Sequence, residues 1–229
     1  MDFTLSEERQ AYRDLARAFA AAELTPNAAR WDETATFPVA TLRRAAALGF
    51  GAIYVRQGSG GTGLGRLDAA LIFEELAAGC TATAAYLSIH NMVAWMIDAF
   101  GDDAQRARWL PDLVPMTKLA SYGLTEPDSG SDAASLACRA VRADEAYVVD
   151  GAKAFVSGAG ASDLYMTMVR TGPAGPRGIS CLGIETGTAG LSFGPPERKM
   201  GWTSQPTAAV YFEGCRVPVG NRVGAEGEG

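Results

Sequence analysis

The chain has 229 residues, 48% hydrophobic and 20% charged, the balance of a globular protein with room for one large domain or two small ones. Twenty Lys and Arg against 26 Asp and Glu leave a net charge of −6; no basic cluster offsets the deficit, which argues against a nucleic-acid partner. Four scattered cysteines without a Cys-x-x-Cys pair support neither a metal site nor a disulfide framework, and a Ser-His-Asp triad has only His90 to draw on.

Met1-Asp2-Phe3-Thr4 carries neither a signal peptide nor an Arg-rich transit sequence, so a reducing cytosol is the default location. Thr4-x-x-Glu7 reads as a capping box opening a first helix, along which Leu5, Tyr12, Leu15, Phe19 and Ala22 recur on one face. A second helix fits Pro38 to Leu48, with proline in its first turn and Gly49 ending it. Strand-like Ile53-Tyr54-Val55 then leads into Gly58-x-Gly60-x-x-Gly63, a literal dinucleotide fingerprint. No βαβ unit follows it, and the strand that should carry a ribose-binding acid is absent. It reads better as a glycine loop joining two helices.

Helical runs continue over Leu67 to Ala78 and Thr83 to Phe100, the latter stopped by Gly101, and from Asp102 to the region of Pro111. The run Ala82 to Phe100 is interrupted by Ser88, His90, Asn91 and Asp98, which argues against a membrane span. His90 lies inside it as a packed core histidine. From Lys118 the texture turns to β. Tyr147-Val148-Val149, Asp150-Gly151 and Ala152 to Val156 read as a hairpin with a type I′ turn. Strand-like runs follow at Leu164 to Arg170, Ile179 to Glu185, Leu191 to Phe193 and Ala208 to Phe212. The short run Arg198-Lys199 reads as a solvated turn.

The fold class is therefore α+β, an N-terminal all-α domain followed by a small antiparallel β-barrel or sandwich. The boundary falls near Met116, dividing the chain into residues 1–116, 117–220 and a terminal stretch 221–229.

Residues 121–132, Ser-Tyr-Gly-Leu-Thr-Glu-Pro-Asp-Ser-Gly-Ser-Asp, form the most informative segment. Chemically this is a strand end opening into a turn rich in N–H groups and hydroxyls. It suits a phosphate or a polar heteroaromatic edge, although Pro-Asp-Ser-Gly is also ordinary turn chemistry. Phe155-Val156-Ser157 places an aromatic and a hydroxyl on a second strand, which plain alternation of inward apolar and outward polar residues also explains.

Thr125-Glu126-Pro127 followed by Gly130-Ser131-Asp132 resembles the TEPxxGSD signature of the acyl-CoA dehydrogenase family. Ser88-Ile89-His90-Asn91-Met92, Ser157-Gly158-Ala159-Gly160 and Gly201-Trp202-Thr203-Ser204-Gln205-Pro206-Thr207 resemble its isobutyryl-type branch. The resemblance implies FAD as cofactor, with Tyr122 to Ser131 lying along it. Leu124 and Thr125 would face the polar edge of the isoalloxazine, and Gly130 and Ser131 would lie near the pyrophosphate, Ser131 also near bound acyl-CoA. Phe155-Val156-Ser157 stands where many members carry Trp-Ile-Thr, with Phe155 flat against the ring and Ser157 donating to its N5 region. Trp202, Ser204 and Gln205 would lie beside the active-site mouth. Two residues depart from the pattern: Gly123 where isobutyryl-type members tend to have cysteine, and Asp128 where glycine is frequent.

The implied activity is α,β-dehydrogenation of a short branched acyl-CoA such as isobutyryl-CoA, with electrons passed to an electron-transferring flavoprotein. The catalytic glutamate of the family has no match in residues 1–229, so the base is expected beyond residue 229. Glu126 reads as a loop-shaping residue instead. By the same resemblance, Gly224-x-Glu226-Gly227-x-Gly229 looks like a linker to a missing C-terminal helical domain, and the full-length form is a homotetramer. Location would be cytoplasmic in a bacterium and the mitochondrial matrix in a eukaryote. The alternatives are a non-catalytic flavin-binding fragment, or a flavin enzyme on the same scaffold that oxidises something other than acyl-CoA.

Overall fold

A computed structural model of the chain describes residues 4–229. Met1, Asp2 and Phe3 lie outside the described residues, and with them most of the segment read for a leader.

Among the described residues, six α-helices occupy the first half: α1 (Glu7–Phe19), α2 (Ala28–Glu33), α3 (Val39–Ala47), α4 (Arg66–Gly79), α5 (Thr81–Phe100) and α6 (Asp103–Leu113). The first helix is capped by Ser6, whose hydroxyl accepts from the Arg9 N–H at 3.4 Å, rather than by the expected Thr4 box. Ser6 offers the same acceptor two residues later, and Glu7 and Glu8 then fall in the first turn, where the helix dipole favours them. A two-armed capping box opens α6, where Asp102 Oδ1 accepts from Gln105 N at 2.8 Å and Gln105 Oε1 from Asp102 N at 3.1 Å. α6 ends at Leu113, two residues past Pro111, with Leu110 and Leu113 buried in its last turn. Ile53-Tyr54-Val55 forms turns, not a strand.

The 20-residue α5 is about 30 Å long at the α-helical rise and has buried residues on most of its faces. Two of its polar residues serve as internal struts. Asn91 accepts from Ile53 N at 2.6 Å and donates to Phe50 O at 2.8 Å. His90 Nδ1 accepts from Ala120 N at 3.0 Å, so Nε2 carries the proton it donates to Leu113 O at 2.8 Å. Burial lowers the His90 pKa to about 4, keeping it neutral. It is a core histidine that joins the end of α6 to the start of the sheet.

The sheet has eight strands: β1 (Ala120–Gly123), β2 (Arg139–Ala143), β3 (Ala146–Ser157), β4 (Leu164–Arg170), β5 (Ile179–Glu185), β6 (Leu191–Phe193), β7 (Thr207–Pro218) and β8 (Arg222–Val223). Its order is β6-β7-β3-β2-β4-β5-β8, with β1 beside β4. This corrects the expected antiparallel barrel: the sheet is mixed, and its path ends at β6 and β8 without closing. β1 pairs parallel to β4 along Ala120↔Leu164 to Gly123↔Thr167, and β2 touches β4 in parallel at Arg139↔Arg170. Evenly spaced short strands look alike in closed and open sheets. The parallel pairing arises because β1 leaves through a long loop instead of a hairpin.

The expected hairpin at Asp150-Gly151 is also corrected. β3 runs straight through both residues, and the turn lies at Asp144-Glu145, closed by the Ala143↔Ala146 pair. Gly151, at φ +140°, is needed because a side chain there would strike the backbone of Cys138. Asp150 Oδ1 accepts from Gly214 N at 2.8 Å. At the chain's end β8 pairs with β5, and Gly229 N donates to Ile179 O at 2.8 Å, so residues 221–229 lie along the sheet.

Candidate functional site

The end of β1 and the end of β3 meet at one open depression of about 290 Å³, lined by Ile89, Tyr122, Leu124, Thr125, Ala154, Phe155 and Ser157. A β-bulge explains how Phe155 comes to face it. Strict alternation would put Lys153, Phe155 and Ser157 on one face. The pairing with β7 shifts between Lys153↔Val210 and Val156↔Ala208, and Phe155 takes a left-handed φ of +55°. Lys153 therefore points inward while the Phe155 ring turns out, 64% exposed. Ala154 N donates to Thr125 O at 2.7 Å, tying the bulge to the signature loop.

Beneath the loop lies an ion pair that sequence reading missed. Lys153, fully buried, donates to Glu126 Oε1 at 2.6 Å and to Leu124 O at 3.0 Å. The Glu126 carboxylate also accepts from Ala137 N at 2.6 Å and Cys138 N at 2.9 Å. Glu126 is thus saturated by loop-building bonds. The available signal was a lone lysine at an inward position of an apolar strand, which demands a buried carboxylate partner.

Five of the eight residues expected to contact a cofactor come together here: Tyr122, Leu124, Thr125, Phe155 and Ser157. Val156 is buried in the core of the sheet, which leaves only its backbone for such a contact. Gly130 and Ser131 sit in an exposed turn outside the depression. The N–H groups of Asp128, Gly130 and Ser131 have no partner among the described residues, and Ser129 Oγ donates to Asp132 O at 2.7 Å to hold the turn. Neither Thr125 Oγ1 nor Ser157 Oγ hydrogen-bonds to another described residue. Burial pushes the Tyr122 hydroxyl up to about 12, so it remains protonated. Ile89, on α5, is a lining residue that sequence reading passed over within the quoted Ser88 to Met92 run.

The two departures from the signature sit quietly. Asp128 is exposed, and a side-chain carbon on Gly123 would meet Lys153 Cγ and Thr167 Oγ1 at 3.4 Å each. The Trp202 segment runs alongside the end of β3, where Thr207 pairs with Ser157, and Trp202 and Ser204 line a neighbouring depression with Asp32. Trp202 takes φ +60° and is half exposed, while Thr203 N donates to Asp32 Oδ1 at 2.6 Å, fastening the segment to α2. Lys199, expected in a solvated turn, instead donates to Gln205 O at 2.5 Å and Thr207 Oγ1 at 2.9 Å. Burial pulls its pKa down.

The lining offers apolar walls, the hydroxyls of Tyr122, Thr125 and Ser157, none with a partner among the described residues, and no carboxylate. It can hold a planar heteroaromatic by its face and its polar edge, and it supplies no proton-abstracting group of its own. Burial pushes the Cys138 and Cys181 thiols up to about 12 and Cys215 to about 11, which removes them as thiolate nucleophiles. No helix among the described residues is long and apolar enough to cross a membrane, and no cluster of three or more His, Cys, Asp or Glu among them is suited to a metal.

Two family models match in succession: the N-terminal domain of acyl-CoA dehydrogenase over residues 6–117 and its middle domain over residues 121–215. Mitochondrial isobutyryl-CoA dehydrogenase of Bos taurus is 58% identical over 225 residues, 98% of this chain and 54% of that protein. The chain spans about half the length of the curated relatives it matches. Butyryl-CoA dehydrogenase from Megasphaera elsdenii superposes with a TM-score of 0.92 at 33% identity, covering 100% of this chain and 61% of that one. A structure of PigA with FAD and proline superposes at 0.95 and 30% identity, with the same coverage. The chain belongs to the acyl-CoA dehydrogenase family and carries its N-terminal and middle domains.

Proposed function

We propose that this chain is the flavin-binding part of an FAD-dependent acyl-CoA dehydrogenase acting on a short branched acyl-CoA such as isobutyryl-CoA. The observation that carries the reading is the meeting of Phe155, Thr125 and Ser157 at one depression, with both hydroxyls unpartnered. Those groups fit an isoalloxazine: the Phe155 ring offers a flat wall, and Thr125 Oγ1 and Ser157 Oγ offer hydrogen bonds to its polar edge. The open N–H groups of Asp128, Gly130 and Ser131 fit a pyrophosphate, and the family resemblance is what assigns Ser131 to acyl-CoA as well. FAD, when bound, supplies the hydride acceptor that α,β-dehydrogenation requires.

The chain's own residues then have defined tasks. The bulge at Phe155 presents its ring, the Lys153–Glu126 pair holds the signature loop against β3, and Leu124, Tyr122 and Ile89 exclude water from one side of the site. The α-proton must leave to a carboxylate that the lining does not contain, since Glu126 is committed to Lys153 and two backbone N–H groups. We place that base outside residues 1–229. The electron acceptor in this reading is an electron-transferring flavoprotein and the full-length form a homotetramer, in the cytoplasm of a bacterium or the matrix of a mitochondrion.

A second reading, a flavin enzyme on this scaffold acting on a substrate other than acyl-CoA, draws support from the superposition on PigA with FAD and proline. The test is anaerobic addition of isobutyryl-CoA to the full-length protein loaded with FAD. Bleaching of the flavin by isobutyryl-CoA supports the first reading. A flavin that stays oxidised with acyl-CoAs but is bleached by an amino acid supports the second.

A further inference from the structure

Behind the flavin-facing surface lies a buried chain of hydroxyls that the site chemistry above leaves unused. Ser121 Oγ donates to Ser157 O at 2.5 Å, Ser162 Oγ lies 2.7 Å from Ser121 Oγ, and Tyr86 OH lies 2.7 Å from Ser162 Oγ. All three side chains are buried. They come from three elements: α5, β1 and the loop before β4.

The proton direction follows from counting. A carbonyl only accepts, so Ser121 spends its proton on Ser157 O. Ser121 Oγ must then accept from Ser162, and Ser162 Oγ must accept from Tyr86. Three hydroxyl protons serve three contacts only in that one order. The remaining approach, Tyr86 OH to Ala120 O, is correspondingly long at 3.3 Å. The chain runs one way, from Tyr86 through Ser162 and Ser121 to the carbonyl of Ser157.

Its end point is held from the other side too. Gly158 N donates to Pro206 O at 2.7 Å and Gly158 O accepts from Tyr165 OH at 3.3 Å. Gly158, at φ +81°, is moulded to the chain: a side-chain carbon there would collide with Ser121 Oγ, Ser162 Oγ and Tyr86 Cε2 together. Satisfying one buried carbonyl needs one donor, which Ser121 alone provides. Ser162 and Tyr86 are surplus to that need, and burying two further hydroxyls is unfavourable unless the network rigidifies something.

We propose that Tyr86, Ser162 and Ser121 are positioning residues that lock the Ser157–Gly158 peptide, and through it the Ser157 hydroxyl and Phe155 bulge, against the bound flavin. The inference rests on the flavin reading of the depression.

The test uses the full-length protein and four variants, Tyr86→Phe, Ser162→Ala, Ser121→Ala and the hydroxyl-restoring Ser121→Thr. FAD affinity, the visible spectrum and reduction potential of bound flavin, and the melting temperature are read for each. Tyr86→Phe keeps the ring packed on Phe37, with ring centroids 4.8 Å apart, and so guards against simple misfolding. The expected result is graded: the flavin spectrum and potential shift least in Tyr86→Phe and most in Ser121→Ala. FAD binding weakens by roughly five- to tenfold at the far end, the scale of one lost hydrogen bond. Restoring a hydroxyl with Ser121→Thr should recover the wild-type spectrum. Variants that lower the melting temperature while leaving the flavin spectrum and potential at wild-type values overturn the relay and spare the flavin reading. A wild-type protein that binds no FAD overturns both.

Discussion

Two glycine-bearing loops of this molecule look equally fit for a phosphate on paper, and the structure separates them by where their N–H groups go. In the loop around Gly58, Gly60 and Gly63, every N–H from Ser59 to Leu64 is consumed within the chain: Ser59 and Gly61 donate to Arg56 O, Gly60 to Gln57 O, Thr62 to Ala52 O, Gly63 to Val55 O and Leu64 to Ile53 O. Arg56 N and the Ser59 hydroxyl go to Asp98, whose carboxylate also binds the Arg56 guanidinium at 2.8 Å. Burial alone would raise the Asp98 pKa, but these bonds outweigh it and bring it to about 2. In the loop around Gly130, the N–H groups of Asp128, Gly130 and Ser131 have no partner among the described residues. A ligand site is a set of unspent donors, and a glycine pattern does not reveal whether they are spent.

The largest effect is expected beneath the open loop. Lys153→Met leaves the Glu126 carboxylate buried without its cation, and we expect a loss of about 3–5 kcal/mol in urea unfolding. A loss under about 1 kcal/mol would mean the pair does not support the loop.

Next comes the strut that aligns β1. The His90 pKa lies near 4 in the folded protein against 6.5 unfolded, so the folded state resists protonation. Stability is whole above pH 6.5 and falls as pH drops toward 4, by about 3 kcal/mol over that window. The Asp98 contribution is lost only lower, as pH falls from 3.8 toward 2. In His90→Gln the slope between pH 6.5 and 4 should flatten; an unchanged slope would assign it to other groups.

In the closed loop, Gly61→Ala drives a methyl into the Val55 carbonyl. It should lower stability by about 1–3 kcal/mol while leaving FAD affinity unchanged. Calorimetry paired with flavin titration checks both halves.

The smallest effect has the sharpest meaning: Ser157→Ala removes an unpartnered, half-buried hydroxyl. Stability should move by less than about 0.5 kcal/mol, while FAD affinity falls roughly five- to tenfold. A stability loss without a change in FAD affinity would reverse the assignment.

Much of the architecture was legible in periodicity. The strands Leu164–Arg170, Ile179–Glu185 and Leu191–Phe193 have the bounds their composition marks out. What failed was local chemistry whose purpose is set by distant contacts. Asp150-Gly151 has the composition of a turn, yet its glycine exists to let Cys138 approach, and pairing with β7 carries the strand through. The mixed, open character of the sheet was invisible for the same reason, since β1 finds β4 in parallel across a 40-residue excursion, from Gly123 to Leu164. At the site, Thr125, Phe155 and Ser157 could be named because a dense motif marks them. Lys153 carried one signal, its inward place on an apolar strand, which did not name its partner 27 residues away. The hydroxyls of Tyr86, Ser121 and Ser162 read as routine in their own segments and acquire a role only beside partners up to 76 residues away.

The most direct test of the account is an FAD titration of the full-length protein beside its Ser157→Ala and Gly61→Ala variants, followed by visible absorbance. The account predicts tight binding in the wild type, weaker binding with a shifted spectrum in Ser157→Ala, and wild-type binding in Gly61→Ala at temperatures where it is folded. Binding lost in Gly61→Ala and untouched in Ser157→Ala would contradict it, and would put the cofactor on the loop whose N–H groups from Ser59 to Leu64 the structure shows already spent.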